Sequence, residues 1–245
     1  MTDIRGSIAQ VRERIALAAA RAGRRPDEVT LVAITKTFPA RAIAEAYDHG
    51  LREFGENQVQ EAEFKVLWTR ESGLDLRWHM VGHLQRNKVK KAIQLFEVIQ
   101  SVDSLRLAQE ISKRCKAADT VMPVMLEINV TGEPSKYGFS ARAEDGEQDE
   151  RFLETVGKIA RLPNLALVGL MTIAPFEAPE RVLRDCFGRL RHLRDGLRQE
   201  FPKQDWQHLS MGMTDDFEVA IEEGSTIVRI GRAIFGERRD YQEDH

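Results

Sequence analysis

A chain of 245 residues with 42% hydrophobic content can bury one sizeable core, and its length is close to the roughly 250 residues of a β/α barrel. Its 36 basic and 39 acidic residues are interspersed, giving a formal charge of −3 and excluding the one-sign surface that a nucleic-acid backbone demands. Two cysteines suggest neither a disulfide framework nor a metal site, no run approaches the roughly 20 apolar residues of a membrane span, and charges at Asp3, Arg12, Glu13 and Arg14 rule out a signal core, so a cytoplasmic protein is expected.

The opening segment places Ile4, Ile8, Val11, Ile15 and Ala18/Ala19 at helical spacing, with Gly23 as a stop, and residues 1–24 read as an extra N-terminal helix packing on the domain. Val29 to Thr35 is a β-branched run of strand length that delivers Lys36 at its C-terminal end, and Pro39 opens a helical pattern to His49. The alternation continues: strand-like Arg52 to Phe54, helical Asn57 to Thr69, strand-like Arg77 to Val81, helical Arg86 to Ile93, strand-like Glu97 to Gln100, helical Ser104 to Ala117. Pro123 to Val130 is a buried-type strand, Ala143 to Glu150 reads as an exposed loop, and Glu147 to Ala160 reads as a helix. Leu165 to Leu170, Pro179 to Glu200, Trp206 to Leu209, Thr214 to Glu223, Thr226 to Ile230 and Ala233 onward complete the series. Strands alternating with helices predict a parallel sheet with right-handed crossovers, and eight such pairs in this length predict one domain, 1–245, closed as a (β/α)8 TIM-type barrel.

Active sites of such barrels form where the strands end. That rule selects Lys36, Glu56 and Asn57, Gly82 and His83, Asn129, Met171 and Thr172, Ser210 to Met213, and Gly231 and Arg232. A lysine at a strand end is ordinarily a solvated charge, but one enclosed by apolar strands and helix ends has its ammonium form disfavoured and becomes a nucleophile for carbonyls, which is aldimine chemistry. The last two strand-to-helix turns, Ser210-Met-Gly-Met-Thr214 and Ile230-Gly-Arg-Ala233, have the make-up of a phosphate site: glycines for close backbone approach, a Ser210 hydroxyl and an Arg232 charge. Taken singly, Thr214 is equally an N-cap and Gly231 a tight turn. Arg229, flanked by β-branched residues on the eighth strand, is expected inside the barrel, either donating to a heteroaromatic ring nitrogen or paired with Glu127 on the fifth strand.

The segments LVAITKTFP, FGENQVQEAEFK, WHMVGHLQRNK, SVDSLRLAQEI, VMLEINVTGEPSKYGF, GLMTI and LSMGMTDDFEVAIEEGSTIVRIGRAIFGER, in order from about Val29 to Arg238, resemble the pyridoxal phosphate homeostasis proteins. These are single-domain relatives of the alanine racemase N-terminal barrel and of the barrel of eukaryotic ornithine decarboxylase. The resemblance implies pyridoxal 5′-phosphate (PLP) as cofactor, attached as an aldimine on Lys36, with Asn57 near the ring, Ser210, Met211, Gly212 and Gly231 at the phosphate and Arg229 at the pyridine nitrogen. The sequence departs from the family pattern after Gly231, where a small hydroxyl residue is common and Arg232 stands, so its backbone amide or guanidinium would substitute. His83 and Met171 are expected to line the pocket, His83 without acting as a base.

Two functions remain from the sequence. One, which the resemblance implies, is a monomeric carrier that buffers PLP and supplies PLP-dependent apoenzymes without efficient catalysis. The other is a PLP-dependent amino-acid racemase or decarboxylase, but racemases of this barrel type draw a second acid/base, a tyrosine, from an additional domain of a partner subunit. After the eighth strand only Ala233 to His245 remain, and Tyr241 in that tail is a poor substitute. A third reading is an aldolase-like lyase using Lys36 for a substrate imine. No catalytic residue and no metal ligand is assigned.

Overall fold

The strands run in the order β1 Thr30–Ile34, β2 Glu53–Glu56, β3 Arg77–Met80, β4 Val98–Val102, β5 Met122–Glu127, β6 Leu165–Met171, β7 His208–Ser210 and β8 Ile227–Ile230. Each pairs in parallel with the next, and β8 pairs with β1 through Thr30 opposite Ile227 and Val32 opposite Arg229, closing the barrel. The computed structural model describes residues 3–133, 136–141 and 149–237. Positions 143–148 of the expected loop, the start of the helix expected from Glu147, and the tail with Tyr241 lie outside the described residues.

Between the strands run α2 (Ala40–Asp48), α3 (Val59–Glu71), α4 (Val89–Leu95), α5 (Leu105–Ala117), α6 (Glu150–Ala160), α7 (Glu180–Glu200) and α8 (Phe217–Glu222), with α9 (Arg232–Phe235) after β8. Ahead of them α1 (Ile4–Arg21) is capped by Asp3, whose carboxylate accepts from Gly6 N at 2.9 Å. Its buried stripe of Ile4, Ile8, Val11, Ile15, Ala18 and Ala19 packs against α8, where Arg14 also pairs with Glu218 at 2.7 Å.

Two apolar layers follow from strand alternation. Side chains turned outward join the helices in the main core, with Trp78, Phe54, Phe187 and Phe217 almost wholly buried. Those turned inward, Val32, Ile34, Val81, Val98, Met125, Met171 and Ile227, fill the barrel. This filling closes the barrel below Lys36 and leaves the strands' C-terminal ends as the place for a site.

Several predicted elements are shifted at their ends, the fifth strand stopping at Glu127 instead of Val130 and the helix expected from Arg86 starting at Val89, and two of the shifts have a clear cause. The seventh strand begins at His208 and not at Trp206, because the Trp206 indole packs as a core anchor and donates to Phe201 O at 3.2 Å instead of joining the sheet. The helix after it begins at Phe217, since Asp216 accepts from Met213 N and holds 214–216 as a turn, so the N-cap is Asp216 and not Thr214.

Candidate functional site

A cavity of about 590 Å³ opens where β1 and β8 end, lined among others by Lys36, Ile34, Thr214, Arg229, Gly231 and Arg232. It is of cofactor size. Lys36 lies just past β1, half-buried, and the chain on either side of it is tied down. Thr35 Oγ1 donates to Glu56 Oε1 at 2.5 Å, and Thr37, which adopts a left-handed φ of 68°, donates its amide to Glu61 Oε1 at 2.5 Å. Both carboxylates converge on Lys65, a buried residue of α3, whose ammonium reaches Glu56 Oε1 at 2.7 Å, Glu61 Oε1 at 2.7 Å and Thr35 O at 2.6 Å. Glu56 is fully buried, and desolvation raises its pKa despite Lys65.

Across the cavity, Arg229 is buried inside β8, with Nη1 on Ser210 Oγ at 2.7 Å and Nη2 on Thr172 O at 2.8 Å. Burial lowers its pKa to about 10, so the guanidinium stays charged at neutral pH. The ion pair with Glu127 considered from sequence does not form at contact distance among the described residues. Glu127 attracts Arg229 only from farther away, and its Oε2 is buried without a hydrogen-bond partner among the described residues.

The two turns expected to cradle a phosphate divide differently from the sequence reading. Ser210 faces inward, its hydroxyl donating to Gln100 Oε1 at 2.6 Å, and Met211 is buried in the outer core with its amide on Ile227 O at 3.1 Å. Gly212 has a φ of 97°, its carbonyl accepts from Arg229 N, and a Cβ there would lie 2.9 Å from Phe217 Cα. The residues of that turn lining the cavity are instead Met213 and Thr214, and the Thr214 hydroxyl accepts from Ala233 N at 3.4 Å, joining the last two turns. Gly231 lines the cavity too, where a Cβ would lie 3.1 Å from Ile34 O. Arg232 is exposed at the rim, both its short contacts going to the Asp215 carboxylate at 2.5 Å.

Asn57, His83 and Met171 do not line this cavity. Met171 belongs to the barrel filling. His83 stacks on Tyr137 with centroids 3.9 Å apart, its Nδ1 2.9 Å from Asp103 Oδ2, which orders the mouth on the far side. Asn129 secures the loop after β5, with Nδ2 on Glu133 O at 2.8 Å. Asn57 abuts Gly82: a Cβ on Gly82 would collide with the Asn57 carbonyl and lie 2.8 Å from its Cα. Gly82→Ala is therefore expected to displace the Asn57 backbone and cost about 1–3 kcal/mol, seen as a lower urea midpoint at unchanged m-value.

Sequence reading missed His79, Gln100, Lys65 and Glu61. Period-two spacing gives a signal for the first, since His79 shares an inward face with Val81 and Glu53 shares one with Gly55. The i, i+4 spacing of Glu61 and Lys65 gives one for the last pair.

A closed parallel barrel with a lysine just past its first strand and glycine-bearing turns after its last two defines the class to which the site belongs. The family model described as alanine racemase, N-terminal domain, matches residues 7–239. The chain is 45% identical over 233 residues to the pyridoxal phosphate homeostasis protein of Aquifex aeolicus, covering 95% of this chain and 97% of that one. It is 42% identical over 247 residues to the protein of that description from Escherichia coli K12, covering 99% and 100%. The structure of PipY from Synechococcus elongatus PCC7942 with PLP bound superposes with a TM-score of 0.78 at 33% identity, covering 92% of this chain and 100% of that one. This chain belongs to the pyridoxal phosphate homeostasis protein family.

Proposed function

We propose that this protein binds PLP covalently through the Lys36 amine and holds it for PLP-dependent apoenzymes, as a monomer in the cytoplasm, without efficient turnover. The observation that carries this reading is the shared cavity of Lys36, Arg229, Gly231 and Arg232. An amine, a buried permanent hydrogen-bond donor and a glycine-lined rim with a cation suit an aldehyde, a ring nitrogen and a phosphate in turn. PLP, when bound, supplies an aldehyde for amines and an electron-withdrawing pyridine ring.

Each residue has a task. Lys36 provides the attachment point, on a turn fixed from both sides by the Glu56–Lys65–Glu61 network. Thr214, Gly231 and Arg232 hold the phosphate end, with Thr214 offering the hydroxyl that the residue after Gly231 lacks. Asp215 steers the Arg232 guanidinium along the rim. Ser210, Met211 and Gly212 act from behind, by anchoring Arg229 and shaping the turn. Arg229 donates toward the ring nitrogen and leaves it unprotonated, a weaker electron sink than a carboxylate partner would create, which favours storage over carbanion chemistry.

Titration with PLP is expected to turn the protein yellow with one equivalent bound, while a panel of amino acids shows no racemisation or decarboxylation. Robust turnover that vanishes in Lys36→Ala would overturn the carrier reading, and a protein that stays colourless would overturn PLP binding altogether.

A further inference from the structure

A chain of hydrogen bonds crosses the barrel interior below the cavity. It starts at Glu53, at the opposite end of β2 from the site, about a quarter exposed. Glu53 Oε2 lies 2.6 Å from His79 Nε2, His79 Nδ1 lies 2.8 Å from Gln100 Nε2, Gln100 Oε1 accepts from Ser210 Oγ at 2.6 Å, and Ser210 Oγ accepts from Arg229 Nη1 at 2.7 Å. His79, Gln100, Ser210 and Arg229 are all buried, and Gln100 and Ser210 entirely so.

With His79 as the neutral imidazole, the donor and acceptor roles in this chain follow one order. The Glu53 carboxylate can only accept, so His79 carries its proton on Nε2 and presents Nδ1 as an acceptor. That acceptor fixes the Gln100 amide with its NH2 toward His79 and its oxygen toward Ser210. The Ser210 proton is thereby committed to Gln100, and its lone pairs are left for Arg229. Without that commitment the hydroxyl is free to rotate, and Arg229 retains Thr172 O as its other anchor.

We propose that Glu53, His79, Gln100 and Ser210 are positioning residues for Arg229, a directional relay that sets the arginine's aim at the cofactor ring from the far end of the barrel. The proposal rests on the reading that Arg229 faces the PLP ring. It assigns a use to three buried polar groups and the partly buried Glu53, which lie on four different strands, β2, β3, β4 and β7, where an apolar filling would satisfy stability alone.

The test compares Glu53→Leu, Gln100→Leu and the conservative Glu53→Gln in the full chain, titrated with PLP. Glu53→Gln keeps an oxygen acceptor for His79 and is expected to match the wild type within about twofold in affinity. Glu53→Leu and Gln100→Leu are expected to retain the borohydride-reducible adduct, to weaken PLP binding about tenfold, and to shift the absorption maximum of the bound cofactor. Leucine variants with wild-type affinity and absorption would overturn the relay, as would equal impairment of Glu53→Leu and Glu53→Gln. Should Gln100→Leu fail to fold, Glu53→Leu, at the partly exposed end, decides alone. A wild type that takes up no PLP overturns the cofactor reading and the relay with it, whereas a yellow wild type with indifferent variants overturns the relay only.

Discussion

Lys65→Met is expected to destabilise the protein by about 3–5 kcal/mol, because it strands a buried carboxylate. Glu56 is fully buried and already has a raised pKa from desolvation, with Lys65 as the compensating charge at 2.7 Å. The methionine fills the space of the lysine stem but offers no donor to Glu56, Glu61 or Thr35 O. Adding Glu56→Leu removes the stranded charge and is expected to restore most of the stability, since a buried ion pair replaced as a whole by apolar groups is close to neutral. PLP loading should not recover in the double variant. In the double variant Thr35 loses both its Glu56 acceptor and the Lys65 donor to its carbonyl, and Glu61, which holds the Thr37 amide, loses the ammonium that fixes it, so the turn bearing Lys36 is loosened whether or not the core is mended. Urea denaturation and PLP titration of the two variants separate the effects. A single variant within about 1 kcal/mol of wild type, or a double variant that loads PLP normally, would contradict this account of the turn.

Glu127→Gln is expected to stabilise the protein at alkaline pH and to do nothing at acid pH. Burial raises the Glu127 carboxyl to about 7, the nearby Asp103 charge adds to the rise, and Arg229 opposes it. The folded protein therefore holds a proton that the unfolded chain releases near its ordinary value of 4.5. Stability contributed by this group is intact below pH 4.5 and is lost as pH climbs to 7, by roughly 3 kcal/mol in all. Glutamine, neutral throughout, escapes that loss. Melting temperatures of the two proteins should coincide near pH 4.5 and part by several degrees at about pH 8, with the variant higher. Equal melting temperatures at both pH values would show that Glu127 ionises without penalty.

The barrel was legible because its strands carry β-branched apolar runs ended by helix-opening residues, as at Thr30–Ile34 and Ile227–Ile230. Lys36, Gly231 and Arg232 were legible for the same reason, since a strand's end in this fold is a place at the mouth. Ser210 was harder: it too ends a strand, but its hydroxyl is claimed by Gln100, 110 residues away, and no local pattern announces that partner. Arg229 was legible as an inward charge, while its true acceptors, a serine hydroxyl and the Thr172 carbonyl, carry no charge for a sequence to advertise. The Glu56–Lys65 pair stayed hidden because a buried lysine on a helix reads as an ordinary exposed one until the neighbouring strand supplies its carboxylate.

Borohydride reduction of the PLP-loaded protein, followed by peptide mass mapping, tests the central claim most directly. A single pyridoxyl-phosphate modification on Lys36 is expected, absent from Lys36→Ala treated in parallel. A modification carried mainly by another lysine, or one undiminished in Lys36→Ala, would contradict it.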